Sequence, residues 1–122
     1  MYDKEIFRLL ARIEDIKKHL ASLGEMRPGS LSRQYNVCGN PTCRCKAPDN
    51  PKKHGPYYQV SYSHKGKSTT QFVKIDALAE TKKQLKNYQT FKRLTEEWVE
   101  LSVEIAKLRK KAEKQKSKKE SS

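Results

Sequence analysis

Cys38-Gly39-Asn40-Pro41-Thr42-Cys43-Arg44-Cys45, with His54-Gly55-Pro56-Tyr57-Tyr58 further along, is the stretch on which the fold turns. From Gly29 to Pro56 the sequence collects Gly, Pro, Asn, Ser and Cys without a helical or strand period, so apolar burial alone would not order it. Three thiols and an imidazole supply what Zn²⁺ requires, namely soft and borderline donors set into a tetrahedron by loops that Gly39, Pro41 and Gly55 can bend. Cys38, Cys43, Cys45 and His54 are therefore the expected ligands of a structural zinc. His64, Asp49 or a water remain alternatives for the fourth position.

Other uses of the three cysteines fit less well. Any disulfide scheme leaves one thiol unpaired, and Cys43 and Cys45 are too close in sequence to bridge without strain. Burial as unrelated thiols needs more surrounding apolar residue than the segment holds. A catalytic Cys-His pair needs a pocket and a group to orient the base, and the sequence points to neither. Pro41-Thr42-Cys43-Arg44-Cys45 has a superficial likeness to the Pro-Cys-x-x-Cys of zinc deaminases, but the spacing differs and there is no His-x-Glu pair.

Outward from this segment, periodic patterns begin on both sides. Ile6, Leu9, Ile13, Ile16, Leu20 and Leu23 are spaced 3, 4, 3, 4, 3, the rhythm of a helix that packs on another helix. The spacing predicts about six turns ending at a Gly24 cap, ahead of Arg27-Pro28-Gly29-Ser30. On the other side, Tyr58, Val60 and Tyr62 alternate on one face of a strand, Ser68 to Ile75 repeats a β-rich pattern, and Gly66 lies between them in the turn of a hairpin. Asp76 is the expected N-cap of a second helix, whose apolar series runs Leu78, Leu85, Tyr88, Phe91, Leu94, Trp98, Leu101, Ile105, Leu108. The expected fold is α+β and mainly α: an antiparallel two-helix, coiled-coil-like hairpin with a zinc-bound loop and a β-hairpin at its tip. The segments are an N-terminal heptad helix (1–24), a zinc loop and β-hairpin module (25–75), a C-terminal heptad helix (76–108) and a basic, flexible tail (109–122).

Hydrophobic residues make up 34% of the 122, too few for a large core, while the formal net charge is +13. Residues 1–24 hold five basic and four acidic side chains and residues 76–106 five and six, so both are close to neutral. The excess sits in residues 25–75, with nine basic against two acidic, and residues 107–122, with eight against two. A polyanion suits such a surface, and nucleic acid, RNA or DNA, is the expected partner. Arg27, Arg33, Arg44, Lys46, Lys52, Lys53, Lys65 and Lys67, with Arg109, Lys110 and Lys111 of the tail, are the expected phosphate contacts. Of the interleaved Tyr35, Tyr57, Tyr58 and Tyr62, Tyr57 is the expected base-stacking residue, whereas Tyr58, Val60 and Tyr62 are expected to cover the core. The N-terminus has neither a secretory signal nor an apolar span, so a cytoplasmic protein without membrane attachment is expected.

The run Ser30-Leu31-Ser32, Tyr35, Cys38-Gly39-Asn40-Pro41-Thr42-Cys43-Arg44-Cys45 and His54-Gly55-Pro56-Tyr57-Tyr58 resembles an uncharacterised family of short prokaryotic proteins, often associated with mobile elements, over roughly residues 28 to 105. That resemblance implies a setting in transposon or RNA-guided machinery and no particular activity. The expectation is a small zinc-stabilised nucleic-acid-binding accessory protein that acts with a larger nucleoprotein or mobile-element complex and is not an enzyme. The alternative is a protein-interaction module whose heptad helices recruit a larger protein or form a homodimer, with incidental charge. A zinc-dependent enzyme ranks below both.

Overall fold

A computed structural model of the chain describes residues 2–36, 42, 46–47 and 54–121, leaving aside the side chains of 36, 54 and 117–121. The elements run α1 (Asp3–Ser22), β1 (Ser30–Asn36), β2 (His54–His64), β3 (Lys67–Val73), a 3-10 turn (Ile75–Ala77) and α2 (Leu78–Ser121). Among the described residues, two α-helices and a three-stranded antiparallel sheet make the protein α+β and mainly helical. Contacts divide it into two units, residues 1–24 with 89–122, and residues 25–88.

In the first unit, α1 buries Ile13 and Ile16, with Ile6, Leu9, Leu20 and Leu23 half-buried, as the 3-4 spacing predicts. From α2, Leu94, Ile105 and Leu108 are buried and Trp98 and Leu101 half-buried, whereas Phe91 is 37% exposed despite its place in the apolar series. Arg12 donates from Nε and Nη2 to the two carboxylate oxygens of Glu97, at 2.6 and 2.9 Å. Gln115 Nε2 donates to the Tyr2 hydroxyl at 3.4 Å. The Arg12 hydrogen bonds hold the Glu97 carboxyl below its ordinary range, against an opposing desolvation. The Lys17 ammonium lies 5.4 Å from the Trp98 ring centroid, a cation–π contact.

Helix boundaries differ from expectation at three places. α1 ends at Ser22, because Leu23 is already extended and Ser22 Oγ donates to the His19 carbonyl that the helix end leaves bare. Gly24 is thus not the left-handed cap, a conformation found among the described glycines at Gly29, Gly55 and Gly66. Asp76 lies inside the 3-10 turn rather than capping α2; the chain enters through extended Lys74, whose carbonyl accepts from Ala77 N–H at 2.9 Å. At its far end α2 continues to Ser121, past Leu108 where the apolar pattern stops. Residues 109–120 are mostly Lys, Arg, Glu, Gln and Ala, whose propensity favours helix where burial no longer does.

The second unit is built on the sheet, in the order β1-β2-β3. The expected hairpin is present: β2 pairs with β3 from Tyr58↔Val73 to His64↔Lys67, and Lys65 and Gly66 turn the chain at φ 52 and 77, the positive pair of a type I′ turn. β1 was not expected, since residues 29–56 show no strand period. It forms because its backbone completes a ladder on β2, from Ser30↔Ser61 to Gln34↔Tyr57, and among its described side chains only Leu31 and Ser32 gain partial burial. Val60 is fully buried, with Tyr58 and Tyr62 half-buried on the same side and Thr81 and Leu85 of α2 also buried in this unit. Gly29 permits the entry into β1: at φ 133, a Cβ there would stand 2.7 Å from Val60 Cγ1 and 2.9 Å from the Ser61 carbonyl. The segment before it is fastened to α2 by Arg27 N–H to the Gln84 carbonyl (3.2 Å) and Asn87 Nδ2 to the Glu25 carbonyl (2.8 Å).

Candidate nucleic-acid interface and metal segment

β1, β2 and β3, with sequences SLSRQYN, HGPYYQVSYSH and KSTTQFV, contain no Asp or Glu. Arg33 is exposed on β1, Lys65 on the turn, Lys67 at the head of β3 and Lys74 just beyond it. None of these four is paired with an acid among the described residues. The ion pairs Arg8–Glu5, Arg12–Glu97 and Lys17–Glu14 all belong to the other unit. The Arg33 guanidinium lies 5.9 Å from the Tyr35 ring centroid, a cation–π contact.

The expected contact residues fall into three groups. Arg33, Lys46, Lys65 and Lys67 are exposed in the sheet-bearing unit, as is Tyr57 at 40%. Arg27 belongs to the same unit but is half-buried, and its Nη2 donates to Gln71 Oε1 at 2.8 Å, so part of its hydrogen-bonding capacity serves the module itself. Arg109, Lys110 and Lys111 are exposed on α2 in the other unit. Arg44, Lys52 and Lys53 lie outside the described residues.

The expected metal ligands Cys38, Cys43 and Cys45 also lie outside the described residues, and of His54 only the backbone is described. Among the described residues no group of three or more His, Cys, Asp or Glu side chains could hold a metal. What is described is the frame around the segment: Asn36 at the end of β1 pairs with His54 at the start of β2, across an irregularity in the ladder. The chain on either side of residues 37–53 is thereby joined in one sheet, and Cys38 is two residues from one end of the bracket while His54 is the other. At the irregularity, Gly55 has φ 130, and a Cβ there would come within 2.8 Å of the Gln34 carbonyl. The donor set of three thiols and an imidazole fits zinc by its chemistry.

Phe72 was not singled out by sequence reasoning. It is 73% exposed on β3, opposite Gln59. Its outward direction follows from register: Val73 pairs with Tyr58 on the core side, so its neighbour Phe72 faces away. The alternation of Thr69, Gln71 and Val73 with Ser68, Thr70 and Phe72 carries that signal once the pairing with Tyr58, Val60 and Tyr62 is known.

Fold and surface together define an α+β protein with a small antiparallel sheet whose exposed charges are cationic. The chain belongs to the family of a domain of unknown function, DUF6788, whose model matches residues 8–83. The match begins within α1, takes in the entire sheet and ends within α2, starting earlier and stopping sooner than the span of residues 28 to 105 expected from the sequence. No curated protein and no solved structure matches the chain. Among the described residues no helix is long and apolar enough to cross a membrane.

Proposed function

We propose that this chain is a zinc-stabilised nucleic-acid-binding accessory protein of the cytoplasm that works within a larger nucleoprotein or mobile-element complex and performs no catalysis of its own. The observation that supports it is the acid-free sheet with exposed Arg33, Lys65, Lys67 and Lys74, which have no acidic partner among the described residues. Cations without internal partners are available to displace counterions from phosphates, the source of most non-specific affinity for nucleic acid. Zinc held by Cys38, Cys43, Cys45 and His54 would supply a structural cross-link across residues 37–53, and the Asn36↔His54 bracket favours that use of the cysteines. The helices of the first unit form an antiparallel, coiled-coil-like pair, a reading that the Arg12–Glu97 and Tyr2–Gln115 contacts favour.

A second reading has its own support. Phe7, Val99 and Val103 are 75, 63 and 48% exposed in the helical unit, so those helices carry apolar surface that a partner chain or a second copy would cover. The two readings are compatible, since Phe7, Val99 and Val103 are not among the expected phosphate contacts. The first is tested by titrating a labelled, unstructured RNA with the wild-type chain and the double variant Lys65→Glu, Lys67→Glu, whose sites are exposed and spare the core. Affinity is expected to fall at least about tenfold in the variant. Equal affinity would remove these lysines from the interface, and no binding by the wild type at low salt would remove the function.

A further inference from the structure

The outward face of the sheet, turned away from Val60, carries hydroxyls, an amide and aromatic rings, whereas the register sets Arg33 and Lys67 on the other face. Ser61 Oγ and Thr70 Oγ1 are 3.1 Å apart and Ser63 Oγ and Ser68 Oγ 3.0 Å, which sets β2's odd-numbered and β3's even-numbered side chains on one common face. Phe72 and Tyr57 share that face. Phe72 stands opposite Gln59 and Tyr57 precedes Gln59 by two, so the rings are diagonal neighbours across the ladder. Such positions are about 7–8 Å apart, within reach of each other for aromatic side chains. The opposite face carries fully buried Val60, so the Phe72 ring is not part of the core. A ring 73% exposed on a strand, with no core to join, is apolar area held in water at a cost that a ligand would relieve.

We infer that Tyr57 and Phe72 form a stacking platform for two unpaired bases of a single-stranded nucleic acid, with Gln59 and the Ser61–Thr70 hydroxyl pair beside them to meet base edges. This rests on the function proposed above and adds the site and the strandedness of the ligand. Three features select this occupant. Planar aromatic side chains on an open sheet match the faces of unpaired bases, which a duplex hides in its own stack. The strands lack any carboxylate that would repel phosphates, and Lys74, two residues beyond Phe72, extends the same side with a cation. Hydroxyl and amide groups offer both donors and acceptors, which suits base edges of either RNA or DNA.

The test compares wild type with Phe72→Ala, Tyr57→Ala and Phe72→Tyr in the full chain, using labelled oligouridylate, oligothymidylate and a duplex of matched length. Circular dichroism melts of each variant establish that the fold is kept. Phe72→Ala is expected to weaken single-strand binding at least about fivefold, with Tyr57→Ala weaker as well, Phe72→Tyr near wild type, and duplex binding changed by less than about twofold. The salt dependence should be the same in all four proteins, because stacking releases no counterions. The uridylate and thymidylate arms separate RNA from DNA as the preferred strand. If Phe72→Ala binds single strands as wild type does, or loses duplex and single-strand affinity equally, or changes only self-association in light scattering, the platform is refuted while phosphate binding by the lysines stands. If the wild type binds none of the three probes, the underlying function falls and the platform with it.

Discussion

Arg12 and Glu97 show what single residues contribute and how little of it sequence pattern reveals. Arg12 is exposed and Glu97 half-buried, so their bidentate contact stabilises the first unit modestly. The Glu97 carboxyl is held below its ordinary range, chiefly by the Arg12 hydrogen bonds. Its contribution is therefore present above the ordinary carboxylate range and is lost as pH falls through the depressed value. Substituting Glu97→Gln removes that titration. The wild type is expected to melt above the variant at neutral pH, with the gap closing in acid; a gap independent of pH would show that the carboxylate charge is not what matters. Nothing in the heptad spacing names this pair, which depends on the register between two elements far apart in sequence. The Ile13 and Ile16 positions, by contrast, were legible from spacing alone because burial is what sets the period.

Whole elements were readable where local chemistry dictates them. Lys65-Gly66 between alternating strands specifies a tight hairpin, and the observed turn has the backbone such a pair favours. β1 escaped because Ser30-Leu31-Ser32-Arg33-Gln34-Tyr35-Asn36 earns its strand from ladder hydrogen bonds to β2, with little side-chain burial to leave a pattern. Phe72 escaped for a related reason: which face of β3 meets the core is decided by pairing, and a one-residue shift would have buried it. The end of α2 is an element-scale question of function. Residues 109–122 carry seven basic and two acidic side chains, with Arg109, Lys110 and Lys111 exposed on the helix. Removing residues 109–122 is expected to leave the far-ultraviolet signal of the sheet and the remaining helix in place while lowering affinity for RNA at a given salt concentration. Undiminished affinity in the truncated chain would confine the interface to the sheet-bearing unit.

At the scale of the molecule, the chain divides into a helical unit held by apolar packing and a sheet-bearing unit with few buried side chains among its described residues. Val60, Thr81 and Leu85 are the buried side chains among the described residues of the latter. The proposed metal cross-link on residues 37–54 would add to their packing, as metals do in small domains generally. Elemental analysis is expected to find one zinc per chain, with a strong chelator lowering the melting temperature and Cys38→Ser reducing the metal content; a folded chain free of transition metal would contradict the cross-link. The overall class and the helix faces were legible because hydrophobic periodicity encodes them. The candidate ligand surface was legible only in its charge, since its aromatic part depends on strand register.

In the proposed function, cations that have no acidic partner among the described residues bind the phosphates of nucleic acid. The most direct test is the affinity of the full-length chain for a labelled single-stranded RNA, measured across a salt series. With several phosphates neutralised, log affinity should fall linearly with log salt, losing roughly two to three orders of magnitude between about 50 and 200 mM. An affinity that does not change with salt would contradict the claim.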